Sequence, residues 1–592
     1  MKNKPKLVLS FSLTLIICMT VLVACKPSDN VEIISGQDAS SVSEESSETR
    51  TDGESESQSE KESQSTGEVE EDLSTDTEKE HICIDDEPID HICDICNQIF
   101  DGCEDGNEDM ICDLCTLKFQ ESEYTDGFAV GGIAIDSYKS KIIVVPATFN
   151  GKAVTEIADN AFKNCDTIEV IILPDTVIEI HSGAFFGCKA LKSVNIPKNV
   201  EIIERSAFEN CYSLQNISLP SSVEYIDMYV FKGCTSLESM DIPYGVEYIS
   251  KECFSECTSL KSISLPESVT IIEDLAFFGC TSLQNITMPK KMEKMGMSVF
   301  YNCSSLKSID IPLGISEIGN HAFFKCSSLE SVTIPKSVVY IRSNAFFGCS
   351  SLKNVSLSAG LTYIGEAAFS MCSALESINI PSGVTVINKE TFYKCTSLKS
   401  ITIPRRASKI GQSAFAGCTS LVSVTFPEGL ESIDSYAFSA CASLESIDLS
   451  SSSVKKIGFS AFSGCTSLES INISESVKTV EGYAFADCSS LVTVSIPNGV
   501  TRLDNHTFAK CFALESIIIP KETVGFEYGV FVECTGLQKI YYTGSYEDWQ
   551  NIEFKSDTFD CIEDISVYFY SEERPTDDGY YWHYVDQAPV IW

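Results

Sequence analysis

The sequence predicts a repeat solenoid, a stack of short coils with a parallel strand face and short helical or irregular returns, preceded by a disordered N-terminal region. Three observations predict it. A 23-residue pattern recurs through 17 registered copies between about 154 and 545, and self-similarity at such a period marks a stacked-repeat architecture. Within each copy Phe, Cys and an aliphatic residue hold fixed places, followed by alternating apolar positions. Ahead of the repeats, residues 26 to about 80 are mainly Ser, Glu, Asp and Thr, which leaves little apolar surface to bury.

The first segment reads as an export signal. Lys2, Lys4 and Lys6 precede a mostly apolar run from Leu7 to Val23, which ends in Leu22-Val23-Ala24-Cys25. This resembles the bacterial lipobox, in which a small residue precedes a Cys that is lipidated and becomes the mature N-terminus. The resemblance implies a signal peptide over 1–25 and lipidation of Cys25. The alternative is an uncleaved anchor, because roughly 17 apolar residues just span a bilayer. Either way the rest of the chain is expected outside the cytoplasm, on the extracellular face of the membrane. Residues 26–80 follow as an acidic linker. Stretches such as Glu54-Ser55-Glu56-Ser57 cannot offset the entropy cost of ordering, so the linker is expected to act as a tether.

Residues 81–120 form a small Cys/Asp-rich module. His81, Cys83, His91, Cys93 and Cys96 make up its first half, and Cys103, Cys112 and Cys115 its second. Each half ends in Cys-Asp-x-Cys, and such knuckles suit tetrahedral zinc because two thiolates from one turn reach the same ion. Two alternatives stay open. Six cysteines in a core-poor exported segment can instead form three disulfides. Asp105-x-Asn107-x-Asp109 resembles the start of a calcium loop, although Met110 replaces the usual Gly and Thr116 stands where Glu is expected.

The repeats occupy 121–545. The Cys column runs from Cys165 to Cys534 in steps of 23, with a single step of 24 between Cys441 and Cys465. The extra residue is expected in the loop Ser450-Ser451-Ser452-Ser453. Three residues before each Cys stands Phe, from Phe162 to Phe531, and three after it stands Leu, with Ile168 in the first copy. Two apolar residues then alternate, as Met240 and Ile242 do after Leu237, which is the signature of a half-buried strand. Pro usually follows, as at Pro243, and stops the strand because it cannot donate to a ladder. A second apolar pair, as in Val246 and Ile249, leads into Ala-Phe-x-x-Cys, which turns the chain back. One unit cannot bury its own apolar side, whereas stacked units can. With strands about 4.8 Å apart, the stack is expected to run roughly 80 Å.

These columns, Ile-x-x-x-Ala-Phe-x-x-Cys-x-Ser-Leu-x-x-Ile-x-Ile-Pro, resemble the BspA-like leucine-rich repeat family of bacterial surface proteins. Ile410 to Pro427 and Ile364 to Pro381 are close copies. The resemblance implies a right-handed leucine-rich-repeat coil and a role in surface adhesion or host-protein binding.

Side chains five and seven residues after each Cys should point outward. Candidate binding-face residues are Ser239, Asp241, Ser262, Ser264, Asn285, Thr287, Ser308, Asp310, Ser331 and Thr333. They form a carpet of small polar groups without the Trp, Tyr or Arg that dominate protein-binding hot spots. The face is therefore either a repetitive hydrogen-bonding surface for an extended protein or glycan, or an inert solvated sheet. The repeat cysteines should pack as buried thiols, although neighbouring copies are close enough that disulfides stay open. The tail, 546–592, is rich in Tyr and Trp and reads either as a cap over the last coil or as a carbohydrate platform. Two stretches, Ile540-Tyr541-Tyr542 leading to Trp549 and Tyr581-Trp582-His583-Tyr584-Val585 leading to Trp592, resemble the ends of other proteins with this repeat, which implies the cap.

Acidic residues outnumber basic ones 85 to 42, for a net charge of −43. Nucleic acid and anionic lipid need Lys/Arg patches, so neither is expected as a partner, and membrane contact is expected through the lipid anchor alone. No Gly-x-Ser-x-Gly, phosphate loop or His-Glu-x-x-His is present among the 592 residues, and repeats this alike offer no unique cleft. The expected function is a surface-anchored binding scaffold and not an enzyme. A purely structural surface role and a carbohydrate-active accessory role are the alternatives.

Overall fold

The computed structural model describes residues 117–134, 141–560, 565–576 and 579–592. Cys25, the acidic linker and the candidate ligands His81, Cys83, His91, Cys93, Cys96, Cys103, Cys112 and Cys115 lie outside the described residues. The described chain is a parallel β-solenoid in which most coils contribute two short strands. In one coil these are Ser239–Asp241 and Tyr248–Ile249. Ser239 pairs in parallel with Ser262, and Tyr248 with Ile271. The coils thus stack through two columns of parallel strands. The second column grows from the apolar pair that the sequence shows after each Pro. The carbonyl of that Pro accepts from the amide three residues on, as from Pro243 to Val246, which sets the corner between the two columns.

The returns are irregular and not helical. In every coil the residues five and one before the Cys hold positive φ, as in Glu390 at 56° and Lys394 at 55°. Left-handed residues at that spacing cannot continue an α-helix. The amides between them are nevertheless all used. Asn160, Phe162 and Asn164 donate to Ser182, Ala184 and Phe186 of the next coil, while Ala161, Lys163 and Cys165 donate three residues back within their own coil. Complete pairing of buried backbone groups is what allows such a return to sit against its neighbours. Among the described residues the one helix is Tyr546–Gln550, after the last Cys-bearing coil, with Ser545 and Asp548 forming a capping box.

The core is one continuous interior. All 17 column phenylalanines from Phe162 to Phe531 are wholly buried. Each ring stacks on the next at centroid distances from 5.0 Å, between Phe185 and Phe208, to 5.9 Å, between Phe508 and Phe531. Phe559 then adds a further ring at 5.6 Å. The column cysteines are free, and all but the half-buried Cys165 are buried. From Cys188 onward each thiol donates to the carbonyl of the Phe in the preceding coil, for instance Cys188 to Phe162 at 2.9 Å and Cys349 to Phe323 at 3.2 Å. The thiol is thus a small apolar group with one satisfied donor. The 24-residue step resolves where the loop was expected. Ser432 pairs with Lys456, one residue beyond the usual offset, and Ser452 tucks its hydroxyl onto the Leu449 carbonyl.

Both ends differ from the repeat. Leu117–Glu121 pairs antiparallel with Phe128–Ile133, which in turn pairs parallel with Lys152–Ile157. The solenoid therefore starts before residue 121, at a hairpin whose Phe119 stacks on Phe149 at 4.0 Å. At the other end the first strand column runs on past 545. Lys539–Tyr542 pairs with Ser566–Tyr570, and that strand with Tyr581–Val585. Ala588–Ile591 then turns back antiparallel on Tyr581–Val585. Trp582 is wholly buried and its indole N–H donates to the Tyr542 carbonyl at 3.0 Å, so this ring is core and not available to stack on a sugar.

Candidate binding faces

The first strand column positions the outward side chains by alternation. In Ser239–Asp241, Ser262–Ser264, Ser308–Asp310 and Ser331–Thr333 the outer residues are exposed and the central one is buried. Asn285 and Thr287 are exposed too, although the strand there shortens to Asn285–Ile286. All ten sequence-predicted face residues therefore reach solvent on one surface. Register aligns them across coils: Ser239, Ser262 and Asn285 follow one another, as do Ser308 and Ser331. Among the described residues none of the ten side chains hydrogen-bonds to another protein group. Hydroxyls, an amide and two carboxylates are consequently open to a ligand or to water at every coil, with spacing set by the ladder at about 4.8 Å.

The face is not uniform. Beside the coils of Cys280 and Cys303, Met288, Met292 and Met295 stand where neighbouring copies carry Ile, Leu or Val. A hollow of about 460 Å³ opens at this step, lined by Thr287, Met288, Lys290, Asp310, Pro312 and Leu313. Two of the predicted face residues thus flank a dent that the repeat pattern alone does not announce.

Two aromatic surfaces were not legible as sites. Phe278, Tyr301, Phe324 and Phe347, two residues before their cysteines, stack half-buried at 4.8, 4.5 and 4.7 Å on the return side. Farther along, Tyr436, Phe459, Tyr483 and His506 form a more exposed ridge, with contacts of 5.6, 5.4 and 4.7 Å. Runs of aromatic residues in the otherwise variable columns are the signal that marks them. Among the described residues no helix is long and apolar enough to cross a membrane.

A family profile described as BspA type Leucine rich repeat region, in six copies, matches residues 155–284, 270–399, 316–444, 385–511 and 433–560. The chain belongs to the BspA-type leucine-rich-repeat family. Its two strand columns and its Phe and Cys ladders are the interior of that repeat as this sequence builds it. Three solved structures are similar to it. A leucine-rich repeat protein from Bacteroides ovatus ATCC 8483 is 25% identical, with 77% of this chain and 100% of that one covered, at a TM-score of 0.46. A leucine rich cell surface protein from Faecalibacterium prausnitzii A2-165 is 24% identical, with 74% and 97% covered, at 0.35. The T. pallidum leucine rich repeat protein is 31% identical, with 32% and 88% covered, at 0.31. No curated protein matches the chain.

Proposed function

We propose that this BspA-type chain is a surface-displayed binding scaffold that captures an extended extracellular protein or glycan along the first strand column. The supporting observation is the row of ten exposed polar side chains, in register and without internal hydrogen-bond partners. A polymer whose own polar groups recur along its length satisfies many of them at once, so weak contacts add along the stack. In this reading Cys25 carries the lipid anchor, the acidic linker holds the solenoid away from the membrane, and the protein binds without catalysing a reaction.

Glycan and extracellular-matrix arrays probed with the full chain test it. Saturable binding is expected, together with at least a tenfold loss in the triple variant Ser262→Trp, Ser308→Trp and Ser331→Trp, which crowds the face without touching the core. A variant on the return side, Tyr436→Ser with Tyr483→Ser, should bind normally. Absence of saturable binding on both arrays overturns the reading. So does binding that survives the face variant and is lost in the ridge variant.

A further inference from the structure

Near its N-terminal end the solenoid gathers acids around one histidine, and the repeat register brings them together. Glu156 and Glu179 occupy the same outward place in adjacent strands of the second column and pair directly. Like charges set opposite one another on a sheet destabilise it. His181 and Glu204 share the next outward place, seven residues before Cys188 and Cys211. Asp159 projects from the neighbouring return. Glu156 and His181 are both at least nine-tenths buried. Among the described residues no Lys or Arg pairs with Glu156, Glu179, Glu204 or Asp159.

The histidine is held in a particular way. Its Nε2 lies 3.1 Å from Glu156 Oε2, and Glu156 also accepts from the Ser122 hydroxyl. Nε2–H donates to Glu156, and Nδ1 faces Glu204 Oε1, 3.4 Å away. A protonated Nδ1 donates to Glu204 itself; with Nδ1 unprotonated both atoms are acceptors, and a cation that displaces the proton would join them in its place. The other oxygen of Glu204 is anchored by the Ser182 amide at 3.0 Å. Donor atoms of Asp159, His181 and Glu204 all lie within 4.8 Å of one another.

We propose that Asp159, His181 and Glu204 bind a zinc ion, with Glu156 as the outer carboxylate that orients the imidazole. Zinc bonds of about 2.0–2.2 Å at tetrahedral angles put ligand atoms about 3.3 Å apart, which Nδ1 and Glu204 already match. Asp159 is exposed and moves in by side-chain rotation. One nitrogen and two carboxylate oxygens, with a fourth position open to water, suit zinc better than calcium, which takes six to eight oxygens. The carboxylate–histidine–metal relay is the usual support for such a ligand. The ion would neutralise the stacked acids and tie the first return to the two coils that follow.

The test is zinc titration of the full chain by calorimetry, after chelator treatment under reducing conditions. The wild type is compared with Asp159→Asn and with the double variant Asp159→Asn, Glu204→Gln. Both variants keep side-chain shape, and among the described residues Asp159 has no hydrogen-bond partner whose loss would unfold the chain. The double variant should bind one zinc fewer per chain, and Asp159→Asn should weaken that site at least tenfold. Cobalt added in place of zinc separates this site from any thiolate site among the cysteines. The wild-type minus variant spectrum should show visible cobalt bands without sulfur-to-cobalt charge transfer. Equal zinc stoichiometry in all three proteins, or a difference spectrum carrying thiolate charge transfer, overturns the proposal.

Discussion

Lys394 illustrates how much of this fold is decided at single residues. It holds φ at 55°, a conformation that costs a residue with a Cβ about 1–2 kcal/mol, because the return needs its amide aimed at the next coil. Lys394→Gly should therefore raise the urea midpoint, by about 1 kcal/mol in stability. Gly187→Ala should lower stability by about 1–2 kcal/mol, since a Cβ there would meet Asn164 Oδ1 at 2.3 Å. Phe323 makes the opposite point. Its ring lies between Phe300 and Phe346 at 5.5 and 5.2 Å, so Phe323→Ala should cost about 3–5 kcal/mol, read as a lowered unfolding midpoint. The Phe, Cys and Leu columns were legible in the sequence because each residue meets its own kind one period away. The left-handed places were harder to see, because Gly and Asn fill many of those before the Cys, whereas Glu, Lys, Leu, Met, Tyr and His stand at others and blur the mark.

At the level of the coil, the thiols link stability to pH. Burial pushes the Cys418 and Cys465 thiols up to about 12 and the half-buried Cys165 up to about 11. A thiol whose folded pKa is raised contributes stability that is intact below its unfolded value of 9.0. That contribution is lost as pH climbs from there toward the folded value. Each such thiol lowers stability by up to about 1.4 kcal/mol per pH unit in that window. Denaturation curves should therefore collapse steeply above pH about 9, and less steeply when three column cysteines are replaced by Ala. In the same way, native protein at pH 8 should resist iodoacetamide until it is unfolded. The exposed face was legible from strand alternation. The second strand column was not, since two residues are too few to show alternation. The aromatic ridges and the Glu156–His181 cluster escaped as well, because their members come from different copies and from columns whose residue type changes along the stack.

For the whole molecule the unit of change is one period. Excising residues 304–326 joins Cys303 to Ser327 in register, so the shortened chain should fold with the same circular dichroism per residue and a nearby melting point. Excising half as many would set Phe against the polar face and should give an insoluble product. Nearest-neighbour stacking is what makes the first deletion mild and the second severe. Deleting Ser451, an exposed residue of the long loop, should change stability by less than about 1 kcal/mol.

The final reversal of the chain bears on something beyond its own stability. A parallel ladder ends in a row of unmet donors and acceptors that invites another chain to add on. Here the last strand, Ala588–Ile591, runs the other way and carries Pro589, which has no amide hydrogen to offer. A chain cut before Ala588 would end on Tyr581–Val585 with its outer edge bare. Such molecules are expected to add end to end, a growth that light scattering of the truncated chain against the full one would reveal.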